Sequence, residues 1–570
     1  MPRLSSLRTA DDPTLDPRLP LSALPLSALP REALARSAGW IQRATGVPAW
    51  ASLSTLIAFA SLLPGLFVMN SDIAVHIDFG RDTTLLTPSH TIGVLAVQGM
   101  LLGAALAILL YPQNTGRGMR VLGRLCPYGA VFAIAAGLFT LIGFPFDFAW
   151  HELFGEDVTL WGPSHLTLIG GGALSVLGFA ILAFEARRSA GWQPTVSGRF
   201  LMACGVVAGP TVMSVFLAEF DFGIPQFQLV LLPAMIAFVT GATLVFARIA
   251  LGPTGALRAV AVWIVLRGLV FVGVMALGMT APHFYPYLLE GILVELAFLL
   301  LGRRPLRAAL LAGALIATVG VIANFAFSRL WGYDVLPWHL LPQALGLASL
   351  AALSGVVLAV AMARVLVPDR VPAAGPARGP SRLAIAGAVA AGIVAFTLPL
   401  PRGGEKPYVA DIEVTPVGDG SHAAVSARFD DPTLLDGAEW FQAFAWQGGG
   451  FVSEPMRYVG GGTWRSPEPI PITGEWKSML RIADGSSMRA APIRFNRDEF
   501  VGAPPIPARS RESFAFQREQ QYLMREYRGG NRDLILPGYL VHLATWLVFV
   551  GFALFVLRRF EADNGSAAAA

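Results

Sequence analysis

Six residues in two evenly spaced sets carry the clearest chemistry in this chain. Asp72, His76 and His90 form the first set, and Asp147, His151 and His165 the second. Both follow the pattern Asp-x3-His-x13-His. On a helix, residues four apart share one face, one turn apart. The second His of each set follows Pro-Ser, which is helix-start chemistry. A loop that folds back would bring it to the same face. One carboxylate and two imidazoles make a three-ligand site for a borderline divalent metal, with a position left for water or substrate. Imidazole suits copper, zinc and iron alike, so the donor set does not choose among them.

The two sets belong to a longer repeat. Residues 72–90 and 147–165 align without a gap at an offset of 75, and eleven of nineteen positions are identical. Phe79-Gly80 matches Phe154-Gly155, and Asp82 matches Asp157. Asp82 and Asp157 are candidates to accept a hydrogen bond from a ligand imidazole or to cap a helix. Duplication preserves a folding motif as readily as a metal site. The repeat alone therefore leaves open two sites, one site, or one site shared between the copies.

The elements that must position these residues are membrane helices. The chain has 570 residues, 54% hydrophobic and only 14% charged, with a mean hydropathy of +0.58. Soluble domains carry about 25% charged residues. The composition excludes a soluble multidomain enzyme, a disordered chain and a nucleic-acid binder. No nucleotide-binding loop is present in the sequence. Cys126 and Cys204, the two cysteines, cannot make a disulfide framework. A bilayer crossing takes about 20 apolar residues. By that ruler twelve stretches qualify: 49–69, 90–111, 128–148, 165–184, 199–219, 227–248, 257–279, 285–302, 307–328, 339–365, 382–400 and 537–557. The expected fold is an all-α polytopic membrane protein of about twelve helices in repeated hairpins, with an all-β sandwich-like domain between the last two.

Charge orients the spans. Alternate loops carry Arg117, Arg120 and Arg124; Arg187, Arg188 and Arg199; Arg303, Arg304 and Arg307; and Arg364 and Arg370. The positive-inside rule then predicts a multi-pass protein of the plasma (cell inner) membrane with both termini cytoplasmic. The opposite loops hold the acidic residues and histidines, a rim suited to a cation. The expected domains are a cytoplasmic segment 1–47, a membrane domain 48–401, an extracytoplasmic block 402–535, a final span 536–560 and a tail 561–570. The block 402–535 alternates apolar and polar residues over 408–414 and 424–429, and a third strand is expected over 474–482. Gly-rich turns separate such runs, as in a small sandwich. Residues 511–528 turn charged and read as helical.

Other ionisable residues fall at or within the spans, where they are costly and functional by default. Glu290 and Glu295 follow the His283 loop. Arg267, in the preceding span, is the expected partner of Glu295, in a buried pair or a polar pathway. Asp334 and His339 echo the second half of the repeat without a full triad.

These residues bear a likeness to a known family. Asp147, Trp150, His151, Asp157, Pro163, Ser164 and His165, and in the first copy Arg81, Asp82, Thr83, Thr87, Pro88, Ser89 and His90, form loops resembling that of the C subunit of the copper membrane monooxygenases, the particulate methane and ammonia monooxygenases. The resemblance implies copper as the cofactor and both Asp-His-His sets as its ligands. It covers about nineteen residues, twice, and here the histidines are one residue further apart than in the family pattern. Residues 402–535 contain one histidine, His422, and no cysteine, so a type-1 copper site is excluded there.

Three functions compete. The first is a copper-dependent membrane oxygenase, or a relative of its metal subunit, acting on a small apolar substrate with O2. The second is a copper transport, delivery or oxidase-assembly protein using Glu290, Glu295 and Arg267 as an inward path. The third is a non-catalytic membrane scaffold. The expected partners are the lipid bilayer and further membrane subunits or an extracytoplasmic protein at the β domain, with no nucleic acid and no nucleotide.

Overall fold

The computed structural model describes residues 28–80, 84, 86–154, 159–371, 406–485, 487–497, 503–523 and 532–569. Helix α1 (Ala28–Thr45) precedes two long hairpins, α2 (Ala49–Asp78) with α3 (Pro88–Leu110) and α4 (Tyr128–Phe154) with α5 (Pro163–Arg187). A small β-hairpin, β1 (Met119–Val121) and β2 (Arg124–Cys126), joins the hairpins at the end away from the histidines. The next crossing is broken into α6 (Val196–Val207), α7 (Gly209–Met213) and α8 (Ala218–Asp221). Then come α9 (Leu231–Leu251), α10 (Gly255–Ala276), α11 (Leu288–Leu301), α12 (Pro305–Leu315), α13 (Val321–Trp331) and α14 (Leu341–Leu366). A π-helical turn, Ile316–Gly320, joins α12 to α13.

Among the described residues, ten helices are long and apolar enough to cross a membrane. The chain is thus a multi-pass membrane protein with a separate β domain toward its C-terminus. Apolar side chains cover its helical flanks, Leu269, Val272 and Leu299 among them, as a lipid-facing surface requires. Two of the twelve expected spans are not among the ten. Residues 382–400 lie outside the described residues. The stretch 285–302 gives only α11, of 14 residues, about 21 Å long against about 30 Å of hydrocarbon. The chain is irregular through Tyr287, whose φ of +55° is left-handed, so the helix cannot begin earlier.

The C-terminal helix Ile535–Ala569 packs on α4, with Phe139 against Trp546 at 4.9 Å and the Tyr128 hydroxyl donating to Asp563 at 2.7 Å. The chain thereby returns to the hairpin that holds the second histidine set.

The β domain is a two-sheet sandwich, as the alternating pattern predicts. Its strands are β3 (Val409–Val417), β4 (His422–Arg428), β5 (Trp440–Trp446), β6 (Phe451–Pro455), β7 (Arg457–Gly460), β8 (Thr463–Arg465), β9 (Ile470–Pro471), β10 (Lys477–Asp484), β11 (Ser487–Arg494), β12 (Arg511–Ala515) and β13 (Gln517–Arg518). One sheet has the order β13-β11-β10-β5-β6 and the other β12-β3-β4-β8-β7, with β9 beside β4. Val425, Phe429, Phe441, Leu480 and Ile493 fill the space between them. The helix expected over 511–528 is corrected. Residues 511–515 pair with β3 as an edge strand, and among the described residues of that stretch only Gln520–Leu523 turn helical. Met456, Met479 and Met488 are buried among apolar neighbours.

Strand β5 is buried along its whole length. Phe441 and Ala443 face the sandwich core, while Trp440 joins the core of the membrane domain. Both faces being covered, the strand reads as a continuous apolar run rather than an alternating one. The hairpin after β5 is fixed to α2: Gln447 N–H donates to the Ile77 carbonyl at 2.9 Å and Gly449 N–H to that of Asp78 at 2.8 Å.

Candidate metal centre

The second histidine set closes into a cluster. Asp147 and His151 lie one turn apart near the end of α4, shortly after Pro145, which sits within the continuous helix. Pro163 takes the first position of α5, and its fixed φ starts that helix. His165 therefore falls in the first turn, facing back toward α4. His151 Nε2 and His165 Nε2 each lie 3.3 Å from the same atom, Asp147 Oδ1. Among the described residues this is the one group in which three ligand atoms lie within 4.8 Å of one another. Donors about 2.0–2.2 Å from a four-coordinate ion stand about 3.3–3.5 Å apart, so the two Asp147–imidazole distances suit ligands of one ion as well as they suit an Asp–His ion pair.

The supports fix the imidazole. His165 Nδ1 lies 2.7 Å from the carbonyl oxygen of Thr159. Only an N–H satisfies a carbonyl, so Nδ1 carries a proton and Nε2 is the ring atom turned to Asp147. An Nε2 atom 3.3 Å from a carboxylate oxygen needs a proton or a cation between them. Thr159 is itself held. Its hydroxyl donates to Glu219 Oε1 at 2.5 Å, and Leu160 N–H donates to the same atom at 2.7 Å. Glu219 Oε2 accepts from Gln226 N–H at 3.0 Å. On the far side, Trp150 packs on His542 at 5.6 Å, and His542 Nδ1 lies 3.1 Å from the Thr167 hydroxyl.

The first set is looser. His90 Nε2 lies 3.6 Å from Asp72 Oδ2. The Ser89 hydroxyl donates to Asp72 Oδ1 at 2.5 Å, so one carboxylate oxygen is already engaged. Thr87 caps α3 by accepting from His90 N–H at 3.3 Å. His76 lies on the same cavity wall without closing a three-atom group.

Both sets open into one cavity of about 820 Å³. Its walls come from α2, α3, α4, α5, α6 and α10. Its roof is the membrane-facing side of the sandwich: Phe444 and Trp446 of β5, Gln447, Lys477 and Arg481 of β10, and Tyr522. Arg481 forms a buried ion pair with Glu519, and Gln447 Nε2 donates to the His76 carbonyl at 3.4 Å.

Comparison with protein-family models, curated proteins and solved structures finds no match to this chain. The likeness to the copper monooxygenase subunit is one of local motif.

Several expected site residues are placed elsewhere. Arg267 does not meet Glu295. Its guanidinium binds Asp221 Oδ2 at 2.5 Å and Asn70 Oδ1 at 2.9 Å. The antiparallel run of α10 and α11 sets Glu295, midway along the short α11, beside the start of α10, whereas Arg267 lies in the middle of α10. Glu295 instead binds Arg248 at 2.7 Å and accepts from Thr254 and Ala256 N–H at the start of α10. Glu290 accepts from Asn324 at 3.1 Å. His283 stacks between Trp331 and Tyr333, with ring centroids at 4.5 and 4.0 Å; burial lowers its pKa. Asp334 accepts from Gln442 of β5 at 2.9 Å, a contact that docks the β domain. His339 is exposed in the short turn Trp338–Leu340. Asp82 and Asp157 lie outside the described residues.

Sequence reasoning missed the role of Glu219. The signal available was a carboxylate inside an apolar stretch beside the Phe222-Gly223 echo of the repeat. It also missed the roof. Lys477 and Arg481 are charged residues on an otherwise buried strand, which marks a face turned toward something polar.

Proposed function

We propose that this chain is a copper-binding integral membrane protein. In this reading Asp147, His151 and His165 hold the ion at the extracytoplasmic end of the bilayer, and the cavity beneath admits a small apolar substrate for oxidation with O2. The observation that carries the reading is the convergence of two imidazole Nε2 atoms on one carboxylate oxygen. Zinc and iron suit the same donors, and the motif resemblance favours copper. Copper in such a site, when bound, would supply one-electron and O2 chemistry. The protein's part is otherwise positional. Glu219 and Thr159 hold the His165 ring with Nε2 toward Asp147, the contact of Trp150 with His542 braces α4 against the C-terminal helix, and the sandwich roof screens the centre from water. Asp72, His76 and His90 form a second, looser group on the same cavity. Both termini cytoplasmic and the β domain extracytoplasmic complete the proposed topology.

Transport is the weaker reading. Glu290, Glu295 and Arg267 are engaged in three separate contacts rather than along one path. Substrate-dependent, copper-dependent O2 uptake by the purified protein tests the proposal. Uptake that survives copper removal and reconstitution with zinc would overturn the catalytic part.

A further inference from the structure

The cavity is far longer than a small gas-like substrate needs. On α2 alone its wall runs from Leu56 to Ile77, roughly 30 Å of helix and so nearly the thickness of a bilayer's hydrocarbon core. Its volume of about 820 Å³ falls near the top of the range for sites that enclose drug-sized ligands. A molecule of a few heavy atoms would occupy a small part of it.

The two ends differ in chemistry. One end holds the Asp-His groups beneath the sandwich roof. The other is apolar, and its lining residues Leu56, Leu63 and Phe200 are 41%, 52% and 65% exposed on the helix surface. At that height the surroundings are lipid, so the cavity is entered sideways from the bilayer.

Two glycines face the cavity on different helices. Gly93 of α3 and Gly172 of α5 both line it. A Cβ on Gly93 would meet nothing within 4 Å, and one on Gly172 would meet only Thr140 Oγ1, at 4.0 Å. Glycine inside a helix is costlier than alanine, and no close helix contact requires it at these two positions. At both positions open cavity lies beside the backbone, space that a bulky side chain would fill.

We propose that the cavity binds long straight-chain aliphatic molecules, inserted lengthwise from the lipid through the opening at Leu56, Leu63 and Phe200, with one chain end beside the Asp-His groups. The inference deepens the proposed function and rests on it for the role of that end. The occupant proposed is a free aliphatic compound; a space filled by phospholipid acyl chains is the opposing outcome of the experiment.

The full chain in phospholipid nanodiscs is irradiated with a diazirine-bearing hexadecane, and the labelled residues are mapped by mass spectrometry. Saturable labelling within the cavity on α2, α3 or α6, competed by n-hexadecane but not by adamantane, is expected. Gly93→Phe and Gly172→Phe, on different helices, each place a ring in the passage and should lower the labelling about tenfold. Labelling that does not saturate, or that is equal in wild type and both variants, would mean that bulk lipid fills the space, and would overturn the inference. Copper content measured on the same samples keeps the two ideas apart. Specific labelling without copper would sink the metal reading alone, and copper without specific labelling would sink this one alone.

Discussion

His165 Nε2 lies 3.3 Å from Asp147 Oδ1, while the other nitrogen of the same ring lies 2.7 Å from the Thr159 carbonyl. The imidazole is thus oriented from one side by the loop and presented on the other to a carboxylate of a different helix. The Nε2–Asp147 gap is closed by a proton or by a bound cation, and the loop holds the ring in place for either.

Glu219 is the anchor of that loop. Glu219→Ala removes the acceptor for the Thr159 hydroxyl and for two backbone N–H groups. Loss of an outer support of this kind lowers metal affinity about 10–100-fold. Competition with a chelator of known affinity measures it. Unchanged affinity in a folded variant would show that the Thr159 loop is held by other means.

Arg267 and Asp221 should behave as a buried pair. Arg267→Met leaves Asp221 uncompensated and costs on the order of 3–5 kcal/mol. The double variant Arg267→Met/Asp221→Leu should recover much of that loss. Thermal unfolding in detergent, wild type beside both variants, decides it. A single variant as stable as wild type would contradict the pairing.

Much of this architecture is legible in the sequence, for definite reasons. Apolar length marks the ten long helices, period-two alternation marks β3 and β4, and the turn at Gly474 marks the start of β10. The Asp-x3-His spacing brings Asp147 beside His151 by helix geometry alone. What sequence could not supply is depth and docking. Arg267 and Glu295 look like partners on neighbouring spans, yet they stand at different heights on α10 and α11. The roof depends on β5 presenting one face to its sandwich and the other to the helices, which no local pattern states. The first set is looser than the second although its spacing is identical, a difference of depth and orientation that spacing does not state.

Docking of the β domain should weaken as pH rises. Asp334, bonded to Gln442, has its pKa raised by burial from 3.8 to about 6, against the opposing pull of that bond and of Arg481, with Glu519 raising it slightly. Glu439, which accepts from Leu229 N–H at 2.6 Å, is raised by burial from 4.5 to about 7, with Asp484 and Asp334 adding to the rise. Both acids bind protons more tightly docked than free. The contribution is therefore fully present below about pH 4 and is lost as pH climbs through about 7. Hydrogen exchange of β5 and the Gln447 hairpin, followed from pH 5 to 8 after correction for the intrinsic rate, should show protection falling. Protection that rises over that range would contradict the assignment.

The Gln447 hairpin ties the roof to the first histidine set. Gly449→Pro removes the N–H that donates to Asp78 and imposes a negative φ on a residue at +87°. It should loosen the roof without unfolding the sandwich. Proteolysis is expected to cut the β5–β6 turn faster, with far-ultraviolet circular dichroism unchanged. An unchanged cleavage rate would argue that Glu439 and Gln442 hold the domain alone.

The most direct test of the central claim is metal analysis of the full chain purified from copper-replete membranes, by inductively coupled plasma mass spectrometry with copper electron paramagnetic resonance. The account predicts near-stoichiometric copper in wild type with nitrogen hyperfine structure from imidazole. His151→Ala/His165→Ala should lose that signal, and His76→Ala/His90→Ala should keep most of it. No transition metal in wild type after reconstitution, or copper unaffected by loss of His151 and His165, would contradict the assignment and leave the repeat as a folding motif.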